Sequence, residues 1–310
     1  MPTVERDVPY AGYGKNVRIA NDEVELLLAT EYGPRIIRYA KHGGPNVFGE
    51  VSPTTQSKPT PYGDDWHIRG GHRLWYAPEG ERSYWPDNSA VRVDLEGARV
   101  TLTQDVEGHT RLEKSITVEL AASGSAVTVI HRITNRGALD VELAPWALSV
   151  MAKGGRGIFR QADFVPHPQA LAPARPLVLW PFTRMNDPRW TWGDRYFLLR
   201  QDPTRPAAQK VGFYDDHGWM AYQLGRTLFI KRHRPAPGLH ADFGCNTQTF
   251  TNDLILELES LGPLARIAPD GLVEHREYWS LFDGVELGDD EASLAAALAE
   301  MPDDRVSPER

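Results

Sequence analysis

Polar and apolar positions along this chain alternate far more often than they follow a helical period. Runs such as "VRVDLE" (91–96) and "SITVEL" (115–120) put apolar side chains on one face and polar ones on the other, which is the pattern of a half-buried strand. Similar stretches, rich in β-branched and aromatic residues, recur in "NVRIA" (16–20), "EVELLLAT" (23–30), "AVTVIHRITN" (126–135), "TLFIKRH" (227–233), "LILELES" (254–260) and "VEHREYWSLF" (273–282). Turn chemistry separates them, as in "ASGS" (122–125), "NRGAL" (135–139) and "APDG" (268–271). One segment reads differently. "DDEASLAAALAEMP" predicts a short C-terminal helix over about 290–301, capped by Asp290 or Asp289 and stopped by Pro302, with a frayed tail beyond it. The pattern predicts an all-β chain built as a large antiparallel β-sandwich. No repeat or flexible linker divides it, so a single domain over 1–310 is expected.

Two long irregular segments, 51–89 and 161–194, interrupt the strands, and both are dense in Trp, Tyr, Arg and Asp. Long connections without regular structure are uncommon in compact domains and often form lids or binding loops. Here they predict long rim loops over the sandwich.

Composition narrows the function. A net charge of −8 provides no broad basic face, which argues against nucleic acid as a partner. Cys245 is the only cysteine, so intrachain disulfides are excluded, and it reads as a small buried residue. No apolar run approaches the ~20 residues needed to span a bilayer, so no membrane partner is expected. The opening "MPTVERDVPY" lacks the apolar core of a secretory signal, and the expectation is a cytoplasmic protein. No two of the ten histidines stand at helical i,i+4 ligand spacing, so neither a metal nor a cofactor is expected. G-x-S-x-G, Walker, G-x-G-x-x-G and H-E-x-x-H patterns are all missing.

Four stretches could carry chemistry. In "GGHRLWYAPE" (70–79), paired glycines precede His72, Arg73, Trp75, Tyr76 and Glu79, and His67 lies just upstream. Aromatic rings beside polar forks suit a pyranose, whose C–H face is apolar and whose rim is hydroxyl. The blander account makes Trp75 and Tyr76 core residues. In "LILELES", Glu257 and Glu259 share one strand face, opposite Leu256, Leu258 and Ser260. On a dry concave face they form a candidate acid/base pair; on a wet face they are ordinary surface charges. In "TLFIKRH", Lys231 and His233 share a face and could bind an anionic group or donate a proton, or else mark a charged edge strand. In "HADFGCNTQTF" (240–250), Asn246 and Gln248 share parity and suit hydroxyl recognition. Trp190, in the second long segment, is a further candidate for stacking on a sugar.

The order of several segments carries a resemblance: "EYGPRIIRYAKHGGPNVFGE" (31–50), "GGHRLWYAPE", "HRITNRGALDVELAPWALSVMAKGG" (131–155), "DPRWTWGDRYFLLRQD" (187–202) and "TNDLILELESLGPLARIAPDGLVEHREYWSLF" (251–282). Over roughly 15–283 the chain resembles the galactose mutarotase-like superfamily, the fold of aldose 1-epimerases. The resemblance implies a sandwich whose concave sheet binds a sugar. It also implies a late-strand glutamate as base and a histidine as acid. "LELES" occupies the place of the family's Leu-Glu-Thr-Gln-like segment, so Glu259 is the better match for the base and Glu257 the second. The family's central-strand histidine is replaced by "PWALSVMAKGG". The acid would then come from His72, His67, His233 or Lys231. Three readings stay open: an aldose 1-epimerase-like isomerase, a non-catalytic carbohydrate-binding protein, and a polysaccharide lyase-like enzyme on acidic glycans. In the last, Arg69, Arg73 and Lys231 would neutralise a uronate and Tyr76 would act as base.

Overall fold

Two large antiparallel sheets face each other in a computed structural model that describes residues 1–10, 12–52, 55–299 and 301. The first runs, in spatial order, Thr3–Pro9, Lys15–Ala20, Val24–Ala29, Arg35–Lys41, His72–Ala77, Val141–Met151, Leu256–Leu261, Thr247–Thr251, Gln209–Phe213 and Leu177–Leu179. Ala265–Ile267 pairs with the start of Val141–Met151. The second sheet runs Trp190–Trp192, Tyr196–Arg200, Arg156–Arg160, Trp219–Leu224, Thr227–His233, Leu272–Phe282, Val127–Asn135, Leu112–Leu120, Arg99–Thr103 and Arg92–Glu96. This is the all-β sandwich that the alternating pattern predicts.

Between the sheets lies the main core, with Leu26, Tyr39, Phe48, Phe159, Val129, Phe229, Leu256, Leu258 and Trp279 among its buried members. Val141–Met151 shows why the central strands carry so few polar residues. Leu143 and Met151 face this core, whereas Ala144, Trp146, Leu148 and Val150 belong to a second apolar cluster on the other face of the strand. That second cluster includes Trp66 and Ile68 from the first long segment, which folds over the outer face of the first sheet.

The long segments are more ordered than expected. His72–Ala77, placed by the sequence pattern in an irregular stretch, is a full strand between Arg35–Lys41 and Val141–Met151. The paired glycines before it are required by space. A Cβ on Gly70 would lie 1.9 Å from the Gly49 carbonyl oxygen, and one on Gly71 would lie 2.4 Å from that of Ile36. Arg35, fully buried, ties the segment down by donating to the Ile68 carbonyl (2.9 Å), the Gly70 carbonyl (2.7 Å) and Asp87 (2.7 Å).

The C-terminal helix spans Glu291–Ala299 and caps the outer face of the second sheet, burying Leu294 beside Ile158, Leu198, Leu228 and Ile230. Asp290 is its cap, accepting from the amides of Ala292 (3.1 Å) and Ser293 (2.9 Å). Asp289 pairs with Arg156 and Arg200 instead. Residue 300, just before the expected end of the helix at 301, and the tail after 301 lie outside the described residues. No described helix is long and apolar enough to cross a membrane.

Candidate functional site

Strand register lays a polar grid across the outer face of the first sheet. Arg73 stands opposite Leu148, Leu148 opposite Glu259, and Glu259 opposite Gln248. One step along the strands, Val150, Glu257, Phe250 and Lys210 form the next row. The ion pairs cross between these rows. Arg73, in the row of Glu259, donates to Glu257 at 3.0 Å, while Lys210, in the row of Glu257, donates to Glu259 at 3.1 Å. All four side chains are at least nine-tenths buried.

Above this grid is a hollow of about 320 Å³ walled by Trp66, Trp75, Trp146, Trp180, Tyr84 and Phe250. The size suits a small ligand. The cations sit on the aromatic walls: Lys210 Nζ is 4.6 Å from the Trp146 ring and 4.9 Å from Trp180, and Arg73 is 4.7 Å from Trp75. Lys58 Nζ lies 3.2 Å from the Tyr84 ring at the rim.

Several buried polar atoms at this site have no hydrogen-bond partner among the described residues: Arg73 Nε and Nη1, Trp66 Nε1 and Glu259 Oε1. Groups of this kind are costly to bury unless something binds them. Glu259 lies just beneath the hollow, where the Trp146 indole (2.9 Å) and Lys210 both donate to its Oε2. Its pKa is pushed up to about 7, chiefly by burial and further by the charge of Glu257, against the opposing pull of Lys210. A carboxyl held near neutrality can take or give a proton at physiological pH.

The structure therefore brings Arg73, Trp75, Glu79 and Glu257 together on the hollow, with Glu259 directly below. The other candidates lie elsewhere. His72 alternates with Arg73 and so points between the sheets, where it is fully buried. Lys231 and His233 also face this interior, as members of an inner strand rather than a charged edge. His233 packs 5.9 Å from the His275 ring. Trp190 stacks on Trp192 in the main core and donates to Gln209 at 3.2 Å. Asn246 pins the backbone of Asp215, at 2.7 and 2.8 Å. His67 adjoins Trp66, and it is Trp66 that lines the hollow. Tyr76 packs against the main core, with its hydroxyl pKa raised by burial. Arg69 pairs with Asp87 and Asn88.

The interior residues form a network of their own. Lys231 donates to Ser149 Oγ (3.1 Å), and Ser149 lies 2.8 Å from His72 Nδ1. His72 and His131 meet Nε2 to Nε2 at 2.7 Å, and His131 Nδ1 reaches the His275 carbonyl at 3.0 Å. One set of protons satisfies this chain with both imidazoles neutral: Ser149 donates to His72, His72 to His131, and His131 to the carbonyl. Burial favours that state, holding His131 and His275 down at about 3 and His72 well below its usual value. Glu277 accepts from Lys231 (2.8 Å), Ser260 and Trp279 (2.9 Å). His72, His131 and Glu277 also have the donor types and proximity of a metal site. The ammonium against Glu277 opposes a second cation there, and the hydrogen bonds already account for each group.

Lys210, Trp146, Tyr84 and Trp180 were not legible as site residues. Lys210 sits in an ordinary strand, "KVGFY" (210–214), and only tertiary pairing brings it to Glu259.

No family model and no curated relative matches the chain by sequence. Solved structures do match it by shape. A TPR-domain containing protein from Parabacteroides distasonis superimposes with a TM-score of 0.58 at 12% identity, over 99% of this chain; the chain spans 56% of that protein's length. A galactose mutarotase-like protein from Lactobacillus casei gives 0.52 at 10% identity, over 86% of this chain and 100% of the other. A galactose mutarotase related enzyme from Lactobacillus acidophilus gives 0.51 at 9%, over 87% and 98%. The fold is galactose mutarotase-like.

Proposed function

On this galactose mutarotase-like fold, we propose that the chain binds a pyranose in the tryptophan-walled hollow and interconverts its anomers. The observation that carries the reading is the pair of crossed cation–carboxylate contacts, Arg73–Glu257 and Lys210–Glu259, beneath aromatic walls. A sugar ring would lie against the indoles. Its hydroxyls would meet the unpartnered donors of Arg73 and Trp66.

Proton transfer follows from which groups line the hollow. Glu257 lines it and takes the proton of the anomeric hydroxyl. Lys210 lines it and gives a proton to the ring oxygen. The C1–ring oxygen bond breaks, the aldehyde carbon rotates, and closure from the other face returns both protons to their donors. Glu259 anchors Lys210 and, with a pKa of about 7, accommodates the change in its charge. The acid in this reading is Lys210, a residue outside the sequence candidates His72, His67, His233 and Lys231, none of which lines the hollow.

Polarimetry or exchange NMR on a panel of aldoses tests the reading. Anomer exchange faster than in buffer is expected, and it should be lost in Glu257→Gln and Lys210→Met. A second reading, carbohydrate binding without catalysis, is favoured by the lack of any histidine lining the hollow among the described residues. Saturable binding with no acceleration of any aldose would select it. Failure of every sugar to bind would remove both.

A further inference from the structure

The hollow does not end at the first ring. A second cavity of about 420 Å³ adjoins it and shares four of its walls: Lys58, Glu79, Tyr84 and Trp180. We propose that this second cavity is a subsite for a further sugar unit, so that the ligand is an oligosaccharide that is neutral or amine-bearing at that unit. The proposal rests on the first hollow holding a pyranose.

Two observations support it. Two of the shared walls are aromatic, so Tyr84 and Trp180 stand where a chain of two rings would pass from one cavity to the next. The far wall is built at a conformational cost. Asp242 and Phe243 both adopt left-handed backbone angles, with φ of 51° and 60°, and Gln248 holds the Asp242 carboxylate at 2.7 Å. Non-glycine residues are strained in that region, and such strain collects at binding sites.

Charge sets the class of the second unit. Among the described residues, Glu79, Glu81 and Asp242 line this cavity against one ammonium, that of Lys58. A uronate or phosphate there would meet a surplus of carboxylates, whereas hydroxyls or an amine would find acceptors. This also disfavours the acidic-glycan reading.

Gly80 provides the test. It lies on the wall of the second cavity in extended conformation, with φ at −160°, and a Cβ there would meet nothing within 4 Å. Gly80→Trp should fill the cavity without disturbing the backbone. Titration by tryptophan fluorescence or calorimetry would compare neutral monosaccharides, their disaccharides and uronate-ended disaccharides. We expect the neutral disaccharide to bind about tenfold tighter than its monosaccharide, the worth of one added stacked ring. That ratio should fall to about one in Gly80→Trp, and Glu81→Lys should raise the relative affinity of the uronate-ended form. Equal affinities for one and two units in the wild type would overturn the subsite, as would a ratio unchanged by Gly80→Trp. A uronate-ended ligand that binds best to the wild type would overturn the charge assignment. If no saccharide of any length binds, the pyranose reading of the first hollow falls as well, and that result is distinct from monosaccharides binding alone.

Discussion

Lys231 donates to the backbone carbonyl of Leu258 at 3.0 Å, so a buried ammonium is fastened to the strand residue that lies between Glu257 and Glu259. The same ammonium pairs with Glu277 at 2.8 Å, and neither side chain touches solvent. Removing one member of such a pair leaves the other charge buried without compensation. Lys231→Met is therefore expected to cost on the order of 3–5 kcal/mol. The double variant Lys231→Met, Glu277→Gln should recover much of that loss. Urea denaturation of the wild type, both single variants and the double variant measures it. A Lys231→Met protein as stable as the wild type would mean that the ion pair does not form.

Arg73 and Glu257 make a comparable pair on the other face of the sheet. Arg73→Leu strips Glu257 of its partner and removes the guanidinium that lies on Trp75. We expect a loss of roughly 3 kcal/mol in stability together with weakened sugar binding. Arg73→Lys should keep part of the stability and less of the binding, because an ammonium lacks the planar fork. Denaturation and ligand titration on the same preparations separate the two effects.

Glu259 makes stability depend on pH with a definite sign. Its ordinary pKa is 4.5, and in the folded protein it rises to about 7. Between those values the folded state holds a proton that the unfolded chain releases. The corresponding stabilisation is complete below pH 4.5 and disappears as pH climbs through 7. Glu259→Gln should flatten this part of the profile. Midpoints of denaturation recorded from pH 4.5 to 8 for both proteins would show it. A slope that survives the substitution would have to come from another group.

The tryptophans should separate by burial. Trp146 is 1% exposed and donates to Glu259, so Trp146→Ala should cost roughly 3–5 kcal/mol of stability. Trp180 is half-buried and lines both cavities, so Trp180→Ala should leave the melting temperature nearly unchanged and weaken sugar binding several-fold. Thermal melts paired with fluorescence titrations decide. A reversed order would place the stacking surface elsewhere.

Most strands of the sandwich were legible because alternation is a local signal that needs no knowledge of partners. So was the shared face of Glu257 and Glu259. What alternation cannot report is which of two buried faces a polar residue occupies. His72 and Arg73 are neighbours in sequence and lie on opposite sides of one sheet, so grouping them by proximity misled. Lys231 read as a surface or ligand-facing cation because a lysine is almost never fully buried without a partner, and its partner Glu277 is 46 positions away. Lys210 and Glu259 lie 49 positions apart. Such pairs exist only once the sheet has formed.

The crossed contacts on the sheet constrain assembly as well as chemistry. Slipping 256–261 by one residue would turn both glutamates toward apolar packing and Leu258 toward the hollow. Slipping it by two would keep the faces but set one glutamate in the other's place and leave either Arg73 or Lys210 without a carboxylate. The segment thus recognises a single docking position, which guards against mispairing in a fold whose neighbouring strands are often far apart in the chain.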